Sequence, residues 1–259
     1  MDGIHVLWST PKNGAFFKTK YEFLTAVLSA LEWKKFNGKC ILFTDIKHID
    51  LFNLVWDEIR ELGEPPVNPG VFWAAGKIYA MKKLTAPFCM IDTDFIVWKK
   101  MQFDSKLCAI HEEELGEIYP DYPDFFQNKA FSKAVKPVNT AFTYINDENF
   151  LKLYTEEAIS FMENYTGNAD CLKPMIFAEQ RMFSMCADRL GIKINILSDI
   201  NKLFKDGHNG SFTHLWGFKS QLEKDEELKK SFERKLENRI EQEFPDVYQK
   251  IKGVTENDF

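Results

Sequence analysis

The chain has 259 residues, 45% of them hydrophobic and 15% aromatic, with 24 Phe and a formal charge of −6. That is enough apolar material for one large domain or two small ones, and it excludes a disordered chain. An acidic balance, with pI near 5.5, excludes nucleic acid as the main partner, because phosphate binding needs a basic surface.

Five scattered cysteines (Cys40, Cys89, Cys108, Cys171, Cys186) form no C-x-x-C pair. They read as reduced core thiols, not disulfides or a zinc site. The first residues, Met1-Asp2-Gly3-Ile4-His5, lack the basic and apolar regions of a signal peptide, and no window reaches the length of a membrane span. The expectation is a soluble, cytoplasmic protein.

The first strand is expected at 4–8, closed by Ser9-Thr10-Pro11-Lys12-Asn13-Gly14. Leu24, Val27, Leu28 and Leu31 then share one face of a helix. A second strand follows at 39–45, and a second helix at 51–62 ends in the loop Glu64-Pro65-Pro66-Val67-Asn68-Pro69-Gly70. A third helix over 72–84 leads to an apolar strand carrying Asp92 and Asp94. Strand and helix alternate, so the fold class is α/β, a mostly parallel sheet flanked by helices. In such sheets ligands bind beyond the carboxyl ends of the strands, which is where Ser9, Asp45 and Asp92/Asp94 would meet.

The second half carries expected strands at 107–111, 138–145 and 193–197, and helices at 148–164 and 174–190. Tyr119, Tyr122, Phe125 and Phe126 fall in an aromatic loop that suits either a sugar-stacking lid or ordinary packing. Glu112-Glu113-Glu114 reads as a solvated acidic run. A long charged terminal helix carries Leu228, Phe232, Leu236, Ile240 and Phe244 at four-residue spacing. It suits packing on the domain, or a homo-oligomer contact, better than a membrane surface. The expected organisation is one domain over 1–219 with a helical extension over 220–259.

Chemistry concentrates at Pro87 to Trp98, where an apolar run meets two carboxylates one residue apart. Carboxylates are costly inside a strand unless paired, so they belong at its end, facing a cleft. Paired oxygen ligands suit Mg2+ or Mn2+, which complete their shell with phosphate and water. Downstream, His214 offers another ligand, with His208 as a competitor. Gly217 allows close backbone approach and Lys219 a phosphate contact. Glu179 falls inward on a helical face with Ile176, Phe183, Cys186 and Leu190, where a carboxylate is either paired with Arg181 or Arg189, or used. Lys77 sits in an apolar run four residues after Trp73; alone it would read as a snorkelling lysine.

In this order the segments resemble nucleotide-diphospho-sugar glycosyltransferases of the GT-A (Rossmann-like) fold, family 8 above all. They also resemble largely uncharacterised bacterial proteins with an I-D-x-D-x-x-x-W-K segment. The D-x-D is matched by Asp92-Thr93-Asp94, the preceding helical lysine by Lys77, and an Asn-x-Gly strand by Asn139-Thr140-Ala141, with Ala at the Gly position. A D-Q-D-like turn is matched loosely by Glu179-Gln180-Arg181. H-x-x-G-x-x-K is matched by His214-Leu215-Trp216-Gly217-Phe218-Lys219, its lysine one position early.

The resemblance implies a Mn2+ or Mg2+ ion held by Asp92, Asp94 and His214, and a nucleotide-sugar donor, UDP-linked by preference. Lys77, Lys219 and Gly217 would serve the diphosphate, Ser9 and Thr10 the base or ribose, and Asn139 the sugar. The acceptor would be a glycan, lipid-linked or protein group, with a cell-surface glycan intermediate as the analogy. Glu179 or Gln180 would stand at the reacting carbon, and the resemblance favours retention over inversion. Two other readings compete. One is a haloacid-dehalogenase-type phosphatase using Asp92 as nucleophile, which normally carries its Asp near the N-terminus. The other is a non-catalytic sugar-binding protein on the same fold.

Overall fold

The computed structural model describes residues 1–45, 50–116, 119, 128, 130–132, 134–167, 172–201, 203 and 210–254. Seven strands form one sheet in the order β3-β2-β1-β4-β7-β6-β8: β1 Gly3–Leu7, β2 Cys40–Thr44, β3 Glu58–Glu61, β4 Phe88–Ile91, β6 Leu107–Ala109, β7 Phe142–Ile145 and β8 Ile194–Ile196. The pairs β1–β2, β2–β3 and β6–β8 are parallel, and β6–β7 is antiparallel. Two further strands, β5 Phe95–Val97 and β9 Phe212–His214, pair antiparallel on their own. The α/β class and the mostly parallel sheet are as expected.

The chain divides into two compact units. The first comprises Met1–Glu61, Ile91–Met101 and Gly207–Phe259. Its helix α1 (Lys20–Phe36) starts where Thr19 accepts a hydrogen bond from the Glu22 N–H, an N-cap that satisfies one of the orphan donors of the first turn. The expected face of Leu24, Val27, Leu28 and Leu31 is buried, and so are Phe23, Ala26, Ser29 and Ala30. A helix covered all round is a core helix. Here α1 packs against β1, β2 and β5 and also against the C-terminal helix Glu226–Glu243. The segment expected as an extension over 220–259 therefore clusters with the N-terminal strands.

The helix expected over 51–62 is not formed. A 3-10 turn at Phe52–Leu54 is followed by β3, whose residues Glu-Ile-Arg-Glu lie at the sheet edge. Such charged edge strands resist unwanted pairing, and four residues with one apolar side chain among them carry too little signal to announce a strand.

The second unit comprises Leu62–Met90 and Gln102–Asp206. Its helices are α2 (Ala75–Met81), shorter than the expected 72–84, α3 (Glu148–Glu163), α4 (Lys173–Ile176) and α5 (Met182–Arg189). Asp147 caps α3 by accepting from the Phe150 N–H. Between α4 and α5 the chain makes a π turn over Phe177–Arg181. One extra residue per turn rotates everything downstream. Phe183 and Cys186, expected on the buried face, are buried, whereas Leu190, expected there too, is the C-cap of α5 and 39% exposed; Arg181, two residues from Glu179, is buried.

Cys40, Cys89, Cys108 and Cys186 are buried free thiols, as expected, and burial raises each one above its ordinary range. Cys171 lies outside the described residues. Among the described residues no helix is long and apolar enough to cross a membrane.

Candidate functional site

The predicted site residues fall into two groups, one in each unit. In the first unit, Asp92-Thr93-Asp94 is the turn between β4 and β5, closed by a hydrogen bond from the Phe95 N–H to the Asp92 carbonyl at 2.9 Å. Apolar strands on both sides bury the backbone, so the carboxylates project at a strand end. Pairing of β5 with β9 sets Phe95 opposite His214, and the Leu215 N–H donates to the Asp94 carbonyl at 3.1 Å. Residues 120 positions apart thus meet at one turn.

Asp94 Oδ2 lies 2.7 Å from Lys219 Nζ and 3.8 Å from His214 Nε2. Burial alone would raise the Asp94 carboxyl, but the charges of Lys219 and His214 reverse that and hold it down to about 2. Burial works against the Lys219 ammonium, yet Asp94 and, to a lesser degree, Asp92 raise it above its usual range. Asp92 therefore belongs to the same field. Beside the pair is a small pocket of about 40 Å³, lined by Lys12, Tyr21, Glu22, Thr93, Asp94 and Lys219 among others, with room for a water or two. Gly217 and Trp216 are exposed on the connection from β9 to Lys219, and the indole lies nearly parallel to the His214 ring, 14° between planes.

Ser9 meets Asp45 as expected: Asp45 Oδ2 accepts from the Ser9 N–H at 2.9 Å and from its hydroxyl at 2.8 Å. This joins the carboxyl ends of β1 and β2. Thr10 follows as the first residue of a 3-10 turn.

A divalent cation can be tested against this donor set. Asp94 Oδ2 has His214 Nε2 at 3.8 Å and the Lys219 ammonium at 2.7 Å, and magnesium-type ions are usually held by one or two carboxylates with phosphate and water, not by an all-protein cage. Among the described residues no three His, Cys, Asp or Glu side chains cluster closely enough to make such a cage. The residues fit a cation shared with substrate oxygens. His208, the competing ligand, lies outside the described residues.

In the second unit Lys77, Thr140 and Glu179 form a buried group. Lys77 Nζ donates to Glu179 Oε1 and, at 3.1 Å, to the Thr140 carbonyl; the Thr140 hydroxyl donates to the same Glu179 oxygen at 3.1 Å. Lys77 and Glu179 are 8% and 7% exposed. The partner of Glu179 is thus Lys77, in place of the arginines the sequence suggested. The π turn also exposes the Glu179 carbonyl to the Tyr154 hydroxyl, which donates to it at 2.8 Å. Next to it, the Gln180 side-chain oxygen accepts from the Tyr119 hydroxyl at 2.5 Å. Tyr122, Phe125 and Phe126 lie outside the described residues.

Asn139 precedes β7, its side-chain oxygen accepting from the Ala141 N–H at 3.1 Å. The middle of the acidic run is not solvated: Glu112 and Glu114 are exposed, but Glu113 is 8% exposed. An antiparallel bridge between Glu112 and Val138 continues the alternation of a strand, and alternation turns the middle side chain inward. A run of three like charges gave no hint of this; its position just after an apolar strand was the available signal. The roomier hollows of this unit, about 420 Å³ each, flank Tyr165 and Gly167, and none of the predicted site residues lines them.

Fold and site together define an α/β protein with carboxylate, imidazole and ammonium groups gathered at strand ends. The chain belongs to a family of unknown function (DUF6734), whose model matches residues 1–254. No curated protein matches it. Among solved structures it is similar to the galactosyltransferase LgtC in complex with donor and acceptor sugar analogs, at 10% identity and a TM-score of 0.40, covering 70% of this chain and 71% of that one. An active-site mutant of LgtC gives 10% identity, a TM-score of 0.40 and 70% coverage of both chains. The inositol-1-phosphate CTP transferase from T. maritima gives 11% and 0.39, covering 76% of this chain and 84% of that one. The functional reading rests on the site residues themselves.

Proposed function

We propose that this protein is a metal-dependent glycosyltransferase that moves a sugar from a nucleotide-diphosphate sugar, UDP-linked by preference, to a hydroxyl acceptor. The observation that carries the reading is the meeting of Asp94, His214 and Lys219 at the end of β4. A cation held by Asp92, Asp94 and His214 would neutralise charge developing on the leaving diphosphate. Lys219 adds N–H donors for the same oxygens, and Gly217 leaves the backbone open to approach. Ser9, locked to Asp45, and Thr10 would face the base or ribose, and Asn139 the sugar. Lys77, which the resemblance assigns to the diphosphate, donates instead to Glu179 and to the Thr140 carbonyl.

Retention is favoured over inversion. An inverting reaction needs a carboxylate free to take the acceptor proton, and Glu179 Oε1 already accepts from Lys77 and Thr140. Gln180, with its oxygen on Tyr119, keeps an amide N–H pair for substrate.

Calorimetric titration of UDP, GDP and ADP, with and without Mn2+, tests the reading. The expected result is Mn2+-dependent binding of one nucleotide, weakened more than tenfold in Asp94→Ala and His214→Ala. Absence of binding by the folded wild-type protein under every condition overturns it and redirects the search to phosphatase assays, with a trapped aspartyl phosphate at Asp92 as the positive sign.

A further inference from the structure

The loop that follows β1 brings a second ammonium to the pocket beside Asp94. Thr10–Lys12 is a 3-10 turn that starts on Ser9 and contains Pro11. The Lys12 and Gly14 N–H groups both donate to the Ser9 carbonyl, at 2.8 and 3.1 Å, and Ser9 is itself tied to Asp45. Asn13 takes the left-handed conformation, φ 58°, which asparagine tolerates, and its N–H donates to the Thr10 carbonyl. The backbone that carries Lys12 is therefore fixed.

The Lys12 ammonium donates to the Phe16 carbonyl at 3.0 Å and lies 3.5 Å from Glu22 Oε2. An ammonium has three N–H donors, and these contacts use no more than two of them. The Glu22 contact is long for a hydrogen bond, because the same oxygen already accepts from the Lys18 N–H at 2.7 Å. The Lys12 side chain is 34% exposed, so a ligand can reach it. Lys12, Glu22, Asp94 and Lys219 line one pocket of about 40 Å³, and a hollow that small stands its charged walls close together. All four belong to the first unit.

The diphosphate of a nucleotide sugar carries two negative charges. Asp92 and Asp94 balance a divalent ion between them, which leaves the phosphate charges to ammonium groups. Lys219 supplies one. Lys77, assigned by the resemblance as another, is buried on Glu179 and the Thr140 carbonyl. Lys12 is the other lysine on the Asp94 pocket.

We propose that Lys12 is a diphosphate-binding residue, whose ammonium exchanges its long contact with Glu22 for a phosphate oxygen and supplies the second positive charge beside Lys219. This rests on the transferase reading above and deepens it. The carboxylate of Glu22 then acts as a seat that holds the ammonium at the pocket and competes with the ligand for it.

The test titrates the nucleoside diphosphate that wild type binds, among UDP, GDP and ADP, with Mn2+ at low and at high salt. Wild type, Lys12→Met, Lys12→Arg and Glu22→Gln are compared. Lys12→Met keeps the apolar stem and removes the charge. Its affinity at low salt is expected to fall about tenfold or more, the effect of one hydrogen bond between charged groups. The loss narrows at high salt, because a half-exposed charge pair is screened, and Lys12→Arg restores most of the affinity. Glu22→Gln keeps an oxygen for the Lys18 N–H but removes the competing charge, so the diphosphate binds a few-fold tighter.

Unchanged binding in Lys12→Met, or a loss of the same size at both salt concentrations, overturns the proposal. So does a Glu22→Gln variant that weakens binding as Lys12→Met does, since that marks the Lys12–Glu22 pair as a structural brace. Each of these outcomes leaves wild-type nucleotide binding intact and strikes this inference alone. No nucleotide binding at all by wild type strikes the transferase reading and this inference together.

Discussion

The turn at Asp92–Asp94 and the π turn at Glu179 both gather opposite charges, but under different physical conditions. At the first, the Lys219 side chain is 37% exposed and that of Asp94 16%, so water reaches the ammonium and covers part of the cost of the pair. At the second, the Lys77 and Glu179 side chains are each 10% exposed, and only protein groups compensate them. A partly solvated cluster can exchange partners when a charged ligand arrives. A buried one must remain complete, because each member is expensive without the others. The first arrangement suits binding, and the second suits holding the backbone of a site in place.

Lys77→Met sharpens this contrast most. It leaves Glu179 buried without its cation and is expected to cost about 3–5 kcal/mol, measured by urea unfolding, with part of the loss recovered when Glu179→Gln is added. Lys219→Met at the other cluster should cost about 1 kcal/mol or less in the same measurement, while weakening nucleotide binding more than tenfold. Equal stability losses for the two lysines would break the comparison.

The next effect is smaller. Trp56 Nε1 donates to His5 Nδ1, and His5 Nε2 meets the Ser29 hydroxyl, which donates to the Phe95 carbonyl. Burial pushes His5 down to about 3, so it stays neutral and this relay from α1 anchors β5 just after the carboxylate turn. Ser29→Ala is expected to cost about 1–3 kcal/mol and to weaken nucleotide binding further than its stability loss explains, read by calorimetry well below the unfolding temperature.

The smallest effect concerns the far end of α1. Burial, and then the charge of Glu243, raises Glu32 to about 7, with Lys35 and Arg239 opposing. A carboxyl raised on folding stabilises most when protonated. Its contribution is complete below the ordinary carboxylate value and is lost as pH rises through about 7. Wild type should therefore lose a few degrees of melting temperature, on the order of 1 kcal/mol, relative to Glu32→Gln between pH 5 and 8. Parallel pH profiles for the two proteins would break this assignment.

How much was legible in the sequence follows from the range of the forces. Apolar runs flanked by polar turns revealed β1, β2, β4 and α1, because burial on both sides writes a continuous hydrophobic stretch. The Asp92-Thr93-Asp94 turn stood out because two carboxylates interrupt such a stretch. β3 was hidden, since a short charged edge strand borrows its structure from its neighbour. Glu113 was hidden for a related reason: whether a glutamate in an acidic run faces in or out depends on the strand beside it.

The sequence by itself determined the α/β class, the order of its chemistry-bearing segments and the inward side of Glu179, all consequences of local periodicity and of the cost of burying charge. Only the tertiary structure decided that Lys77, not an arginine, neutralises Glu179, that His214 reaches Asp94 through the β5–β9 pairing, and that Glu113 turns inward beside Asn139. Those are pairings between distant segments. Their energies depend on distance and exposure in the folded chain, and neither quantity is written along the chain.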